Sequence, residues 1–168
     1  MQQQQVALYN MALNGNVIPH AWYATITKED CKPDLQAIII LAEIVYWYRP
    51  VEDRDPETGA LRGLRSKLKR DRLRMSYGTF SDRFGLTKRQ ATEAIIRLEK
   101  HGLITRHFVS DTIKGTHLVN ILELELHVER LKAYTDIVPA AQYAGCPENQ
   151  GGVSQKSGTP LPKIGDTY

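Results

Sequence analysis

The chain has 168 residues, 42% of them apolar, with a formal net charge of +3, enough for one domain and a tail without disulfide staples. No apolar run reaches membrane-span length, and the polar start MQQQQ lacks the basic-then-apolar order of a signal peptide, so a cytoplasmic protein with no membrane partner is expected. Cys31 and Cys146 stand apart, and His20, His101, His107, His117 and His127 show no metal-ligand spacing, so neither metal nor cofactor is expected.

Residues 1–33 read as a weakly patterned N-terminal extension. Val17 to Tyr23 is apolar enough to pack on a core, with Pro19 arguing against a central strand. Asp34 to Tyr48 is the strongest helical stretch, opened by Pro33-Asp34 and closed by Arg49-Pro50. It is apolar on nearly every side, which suits a core helix or, alternatively, a homodimer seam. Val51 to Gly63 reads as a solvated connector, with turn chemistry at Asp55-Pro56-Glu57-Thr58-Gly59. Arg62 to Arg74 then carries seven basic residues and only one acidic, Asp71. Leu73 and Met75 alternate with Arg72 and Arg74, so a short basic strand is expected to enter the next unit.

That unit runs from Ser76 to Phe108. Tyr77, Phe80 and Phe84 give a first helix one aromatic face, with Ser76 as N-cap and Gly85 as its left-handed stop. Thr87 to Gln90 has the capping-box form and opens a second helix. Ala91, Ala94, Ile95 and Leu98 fall on one side of it. Arg89, Glu93, Ile96 and Lys100 fall opposite, flanked by Thr92 and Arg97. Gly102 stops this helix. Leu103 to Val109 and His117 to Leu126 read as two strands of a hairpin whose tip is Ser110 to Thr116, with Leu118, Asn120, Leu122, Leu124 and Leu126 on one face. A short helix from His127 to Tyr134 closes the domain, 34–138. Residues 139–168 contain five glycines and four prolines with no apolar period, the composition of a disordered tail. The chain ends in KIGDTY without a closing element, as a part of a longer protein would.

Helix, basic strand, helix, turn, helix and β-hairpin make a winged helix-turn-helix: an α+β domain, mainly α, with a hairpin wing. The charge is not spread evenly along it. Residues 1–60 carry four basic against eight acidic side chains, residues 61–110 thirteen against four, and residues 111–138 three against five. A local excess of nine positive charges around the helix-turn-helix favours a polyanionic partner, and double-stranded DNA is the expected one.

The segments LAEIVYWYRP (41–50), SYGTFSDRFGLTKRQATEAIIRLEKHGLITR (76–106) and VNILELELHVERLKAYT (119–135) resemble the winged-helix replication proteins of phages, plasmids and mobile elements. The tail GGVSQKSGTPLPKIGDTY is similar to the Ser/Thr/Pro-rich segments that follow such domains. The resemblance covers about 35–168. It implies replication initiation in a bacterial host's cytoplasm: recognition of repeats at an origin by several copies or a homodimer, and recruitment of host replication proteins, with the tail as their contact.

In this reading residues 88–100 form the recognition helix. Arg89 is placed to read guanine, and Gln90 to read adenine unless capping occupies it. Thr92 and Ile96 are placed for thymine methyls. Lys88, Arg97 and Lys100 are placed for phosphates. Glu93 either accepts from cytosine or restrains Arg97. Lys67, Lys69, Arg70, Arg72 and Arg74 add phosphate contacts from the basic strand, and Arg106 and Lys114 reach DNA from the wing. Transcriptional regulation in a mobile element uses the same surface, and protein–protein contact through Ile96 and the first apolar helix is a further alternative. No glycine-rich phosphate loop, paired-histidine nuclease motif or base-activated nucleophile is evident, Tyr77 and Tyr134 included, so an enzyme is not expected.

Overall fold

A computed structural model describes residues 15–113 and 115–136. Residues 1–14, Lys114 and the tail expected to be disordered lie outside the described residues. The described chain is α+β, with five helices and two small antiparallel sheets. In chain order these are α1 (Trp22–Thr25), α2 (Leu35–Tyr48), β1 (Val51–Arg54), β2 (Leu61–Arg65), β3 (Leu73–Arg74), α3 (Tyr77–Phe84), α4 (Lys88–Lys100), β4 (Ile104–Ile113), β5 (Thr116–Leu126) and α5 (Val128–Thr135).

The body is assembled around α2. Asp34 caps this helix by accepting from the Ala37 N–H at 3.2 Å, and Ala37, Ile38, Ile40, Leu41, Ala42 and Ile44 are all buried. A helix apolar on nearly all sides needs cover on nearly all sides. Here α4 supplies Ala91, Ala94, Ile95 and Leu98, α3 supplies Phe80, and the sheet supplies Leu73, Leu122, Leu124 and Leu126. Most of its apolar surface is thus covered within one chain, while Leu35 at its start stays 58% exposed. Trp22 of α1 joins the same core, and its indole N–H donates to Thr135 Oγ1 at 2.9 Å, tying the first helix to the last.

Helices α3 and α4 follow their local signals. Ser76 Oγ accepts from the Thr79 N–H at 3.1 Å, and Gly85 ends α3 at φ 64°, a left-handed conformation that glycine adopts without steric cost. The capping box at the start of α4 is complete: Gln90 N–H to Thr87 Oγ1 at 3.2 Å, and Thr87 N–H to Gln90 Oε1 at 2.8 Å.

Strand order in the main sheet is β3–β5–β4, all antiparallel. The basic strand entering the unit is only two residues long, pairing Leu73 with Leu124 and Arg74 with Glu123. Two expectations need correction. The connector expected over residues 51–63 is instead a β-hairpin, with Val51 opposite Arg65 and Glu52 opposite Leu64, and Asp55 accepting from the amides of Glu57 and Thr58 in its turn. The face expected to run from Leu118 to Leu126 is broken at Asn120, which sits at φ 55°. There β4 passes from Val109 to Asp111 while β5 passes from Ile121 to Leu118, so β5 carries one extra residue. Such a bulge shifts the alternation by one. Leu118 turns to the side of Ile121 and Glu123 and is 41% exposed, whereas Leu122 and Leu124 stay in the core.

Two buried carboxylates, neither anticipated from the sequence, pin the helices together. Asp34, with no exposed surface, is ion-paired to Arg97 of α4. Glu43 of α2, 3% exposed, receives Arg83 of α3, the Trp47 indole at 2.8 Å and the Asn16 amide at 2.8 Å. A buried charge is tolerated only when paired and hydrogen-bonded, and both are.

Candidate nucleic-acid interface

The outward side of α4 is fixed by its inward side. With Ala91, Ala94, Ile95 and Leu98 held on α2 and α3, helical geometry turns Lys88, Arg89 and Lys100 to the exterior, with Thr92 and Ile96 half-buried at the margins. Lys88 and Lys100 are exposed and have no acidic partner within ion-pair distance among the described residues. The Arg89 side chain is 87% exposed, and its Nε donates to Glu93 Oε1 at 2.7 Å. That contact holds the Glu93 carboxyl below the usual range for glutamate. Glu93 thus restrains Arg89, one turn before it, rather than Arg97. Gln90 is occupied by its capping role, so its carbonyl oxygen is already engaged. The Thr92 hydroxyl donates back to the Lys88 carbonyl at 2.8 Å, leaving its methyl as the group it can present.

The remaining expected phosphate contacts divide sharply. Arg97 is committed to Asp34 and leans towards Gln36, so it belongs to the helix–helix joint and leaves the set of free cations. Arg106 is likewise spent. Its guanidinium meets Glu99 at 2.7 Å and Tyr77 Oη at 3.2 Å, and its backbone N–H donates to Glu99 Oε1 at 2.9 Å. Burial pushes the Glu99 carboxyl up, but these bonds from Arg106 outweigh it and hold the group low. Arg106 therefore staples β4 to α4 instead of reaching outward. Lys114 lies outside the described residues.

The basic strand faces carboxylates from the β4–β5 hairpin. Arg74 lies between Asp111 at 2.9 Å and Glu123 at 2.6 Å, and its side chain is only 21% exposed. Arg70 shares the same Asp111 carboxylate at 2.8 Å, and Arg72 approaches Glu125 at 3.3 Å. Arg74 lowers the Asp111 carboxyl, and His107, bonded to Glu125 at 2.7 Å, lowers that one. Lys67 donates to the Tyr46 carbonyl at 2.9 Å and sits 3.6 Å from the centre of the Tyr46 ring, a cation–π contact. Lys69 alone of this group is exposed with no acidic partner among the described residues. The hairpin thus neutralises much of the charge that the basic strand carries.

A groove of about 580 Å³ runs between the start of α3 and the hairpin, with Lys88 and Tyr77 on one wall and Phe108 and Val119 on the other. Phe108 and Val119 are 54% and 61% exposed. Among the described residues no three His, Cys, Asp or Glu side chains are grouped as metal ligands would be, and no helix is long and apolar enough to cross a membrane. In comparison with known proteins the chain matches no family model, no curated protein and no solved structure.

Proposed function

We propose that this chain is a winged helix-turn-helix protein that binds double-stranded DNA, with α4 entering the major groove and the β4–β5 hairpin as the wing. One observation carries the reading. The outward face of α4 starts at a fully formed cap with Lys88 and Arg89 and ends at Lys100, all three exposed among the described residues, while the opposite face is clamped to α2 and α3. A rigid helix presented in this way suits insertion into a groove about 12 Å wide. Arg89 exchanges Glu93 for a guanine edge, the Thr92 methyl meets a thymine, and Lys69, Lys88 and Lys100 take phosphates. The protein acts by binding, not catalysis. Its place in replication of a phage, plasmid or mobile element, with the tail contacting host replication proteins, rests on the sequence resemblance. Regulation of transcription uses the same surface and differs only in where the sites lie.

The test is selection from a random duplex library at about 50 mM salt, followed by mapping of retained fragments on the source genome. Three phosphate contacts give a slope near −3 in log affinity against log salt, roughly a 40-fold loss between 50 and 200 mM. Arg89→Ala should cost about 1–3 kcal/mol on the selected site and blur one base pair. Equal loss on all sequences reassigns Arg89 to phosphate, and absence of binding at low salt refutes the proposal. Sites in a repeat array at an origin support replication; sites overlapping a promoter support regulation.

A further inference from the structure

The β1–β2 hairpin has no part in the proposed DNA surface, and among the described residues no other helix or strand packs broadly against it. Its sequence, VEDRDPETGALRGLR, carries four acidic and three basic residues. Phosphates would be repelled by Glu52, Asp53, Asp55 and Glu57, so the hairpin is not a second nucleic-acid arm.

Its two faces differ. Cross-strand partners lie on the same face of a ribbon. Glu52 is opposite Leu64 and Arg54 is opposite Leu61, while Val51 is opposite Arg65 and Asp53 is opposite Gly63. A register shift between Asp53 and Arg54 places one extra residue, Arg62, in β2. Without it Leu61 and Leu64, three apart, would point to opposite faces. With it both leucines share one face, at 57% and 69% exposure, beside a Glu52–Arg54 ion pair of 2.7 Å. The irregularity thus gathers two uncovered leucines next to one acid and one base.

We infer that this face is a self-association surface, and that its occupant is the same face of a second copy of the chain. The charge pattern selects that occupant. Around a two-fold axis leucine meets leucine, and each Arg54 meets the second copy's Glu52, so the patch complements itself without net charge. A ribbon face of four side chains is far smaller than the roughly 1,200 Å² at which stable interfaces begin, so the contact is weak and concentration-dependent. It gains force when another tether holds two copies side by side. The inference does not depend on DNA binding and is tested without it.

The experiment is sedimentation equilibrium of the full chain from about 10 µM to 1 mM. The weight-average mass should rise from 19.0 kDa towards twice that value as concentration increases. Leu61→Lys with Leu64→Lys should hold the mass at the monomer value throughout, with an unchanged circular-dichroism melt because both positions are exposed. Arg54→Glu should weaken association by setting like charges across the axis, and the exchanged pair Glu52→Arg with Arg54→Glu should restore it. A wild-type mass that stays monomeric over the whole range overturns the inference. So does association that persists in the double lysine variant. Should that variant unfold, the charge series decides: restoration by the exchanged pair supports the surface, and failure to restore overturns it.

Discussion

Arg97 separates two roles that a sequence cannot distinguish, a phosphate contact and a structural strut, and the structure permits a quantitative prediction. Its guanidinium meets Asp34, which has no exposed surface, while the Arg97 side chain keeps 27% of its own. Arg97→Ala would leave the carboxylate buried with only the Ala37 N–H for a partner. Deleting one member of a buried pair costs about 3–5 kcal/mol, and water entering from the partly open arginine side places this case near 3. Asp34→Ala also removes the cap of α2, worth about 1 kcal/mol, but leaves an arginine that can turn to solvent, so its total should be no larger. Urea unfolding followed by circular dichroism measures both, and a loss of about 3 kcal/mol should lower the melting temperature by roughly 10 °C. The combined variant Asp34→Asn with Arg97→Met should recover more than half of the loss, because the uncompensated charge is gone. Binding to a selected duplex should be unchanged at temperatures where the variants remain folded. The reasoning fails if Arg97→Ala costs less than about 1 kcal/mol while the salt slope of DNA binding falls by about one, the signature of a lost phosphate contact.

Asp111→Asn should free Arg70, while Glu123 still holds Arg74, and steepen the salt slope by up to about 1, with tighter binding at low salt; an unchanged slope places Arg70 away from the duplex. Asp111, Glu125 and Glu99 are all held below their ordinary pKa in the folded chain, so their stabilisation is complete above the unfolded carboxylate range near pH 4 and is lost as pH falls through the folded values. The urea midpoint should therefore drop below about pH 4.5, and Asp111→Asn should make that drop smaller; an identical pH profile in the variant would remove Asp111 from the linkage. Gly85→Ala meets no atom within 4 Å of the added carbon, so its cost should be backbone strain alone, about 1–2 kcal/mol, with Gly85→Asn costing less; equal losses in thermal melts would contradict a left-handed cap.

The parts of the fold visible in the sequence are those whose cause is local. Ser76, Gly85 and the Thr87–Gln90 box each act within four residues, and α2 declared its burial by being apolar on nearly every side. The β1–β2 hairpin left no such trace, because a ribbon with no buried face has no alternation to read. Asn120 gave none either: asparagine tolerates a left-handed conformation but does not require it, and the resulting bulge decides where Leu118 points. The candidate interface was legible on α4 for the same reason as the caps, since a helix's outward face is the complement of its apolar one. Charge behaves differently. Counting nine excess positive charges over 61–110 treats each arginine as available, yet the carboxylates that engage Arg74, Arg70 and Arg97 lie 37, 41 and 63 residues away, outside that window. The alternation of Arg72 and Arg74 with Leu73 and Met75, set beside Glu123 and Glu125 in a second strand, was the one readable hint that two charged faces would meet as neighbours. A segment's net charge is fixed by the order of residues, whereas the field it shows a ligand is fixed by what folds over it. The exposed cations that escape this neutralisation, Arg65, Lys69, Lys88 and Lys100, are therefore a better guide to the surface than the segment total.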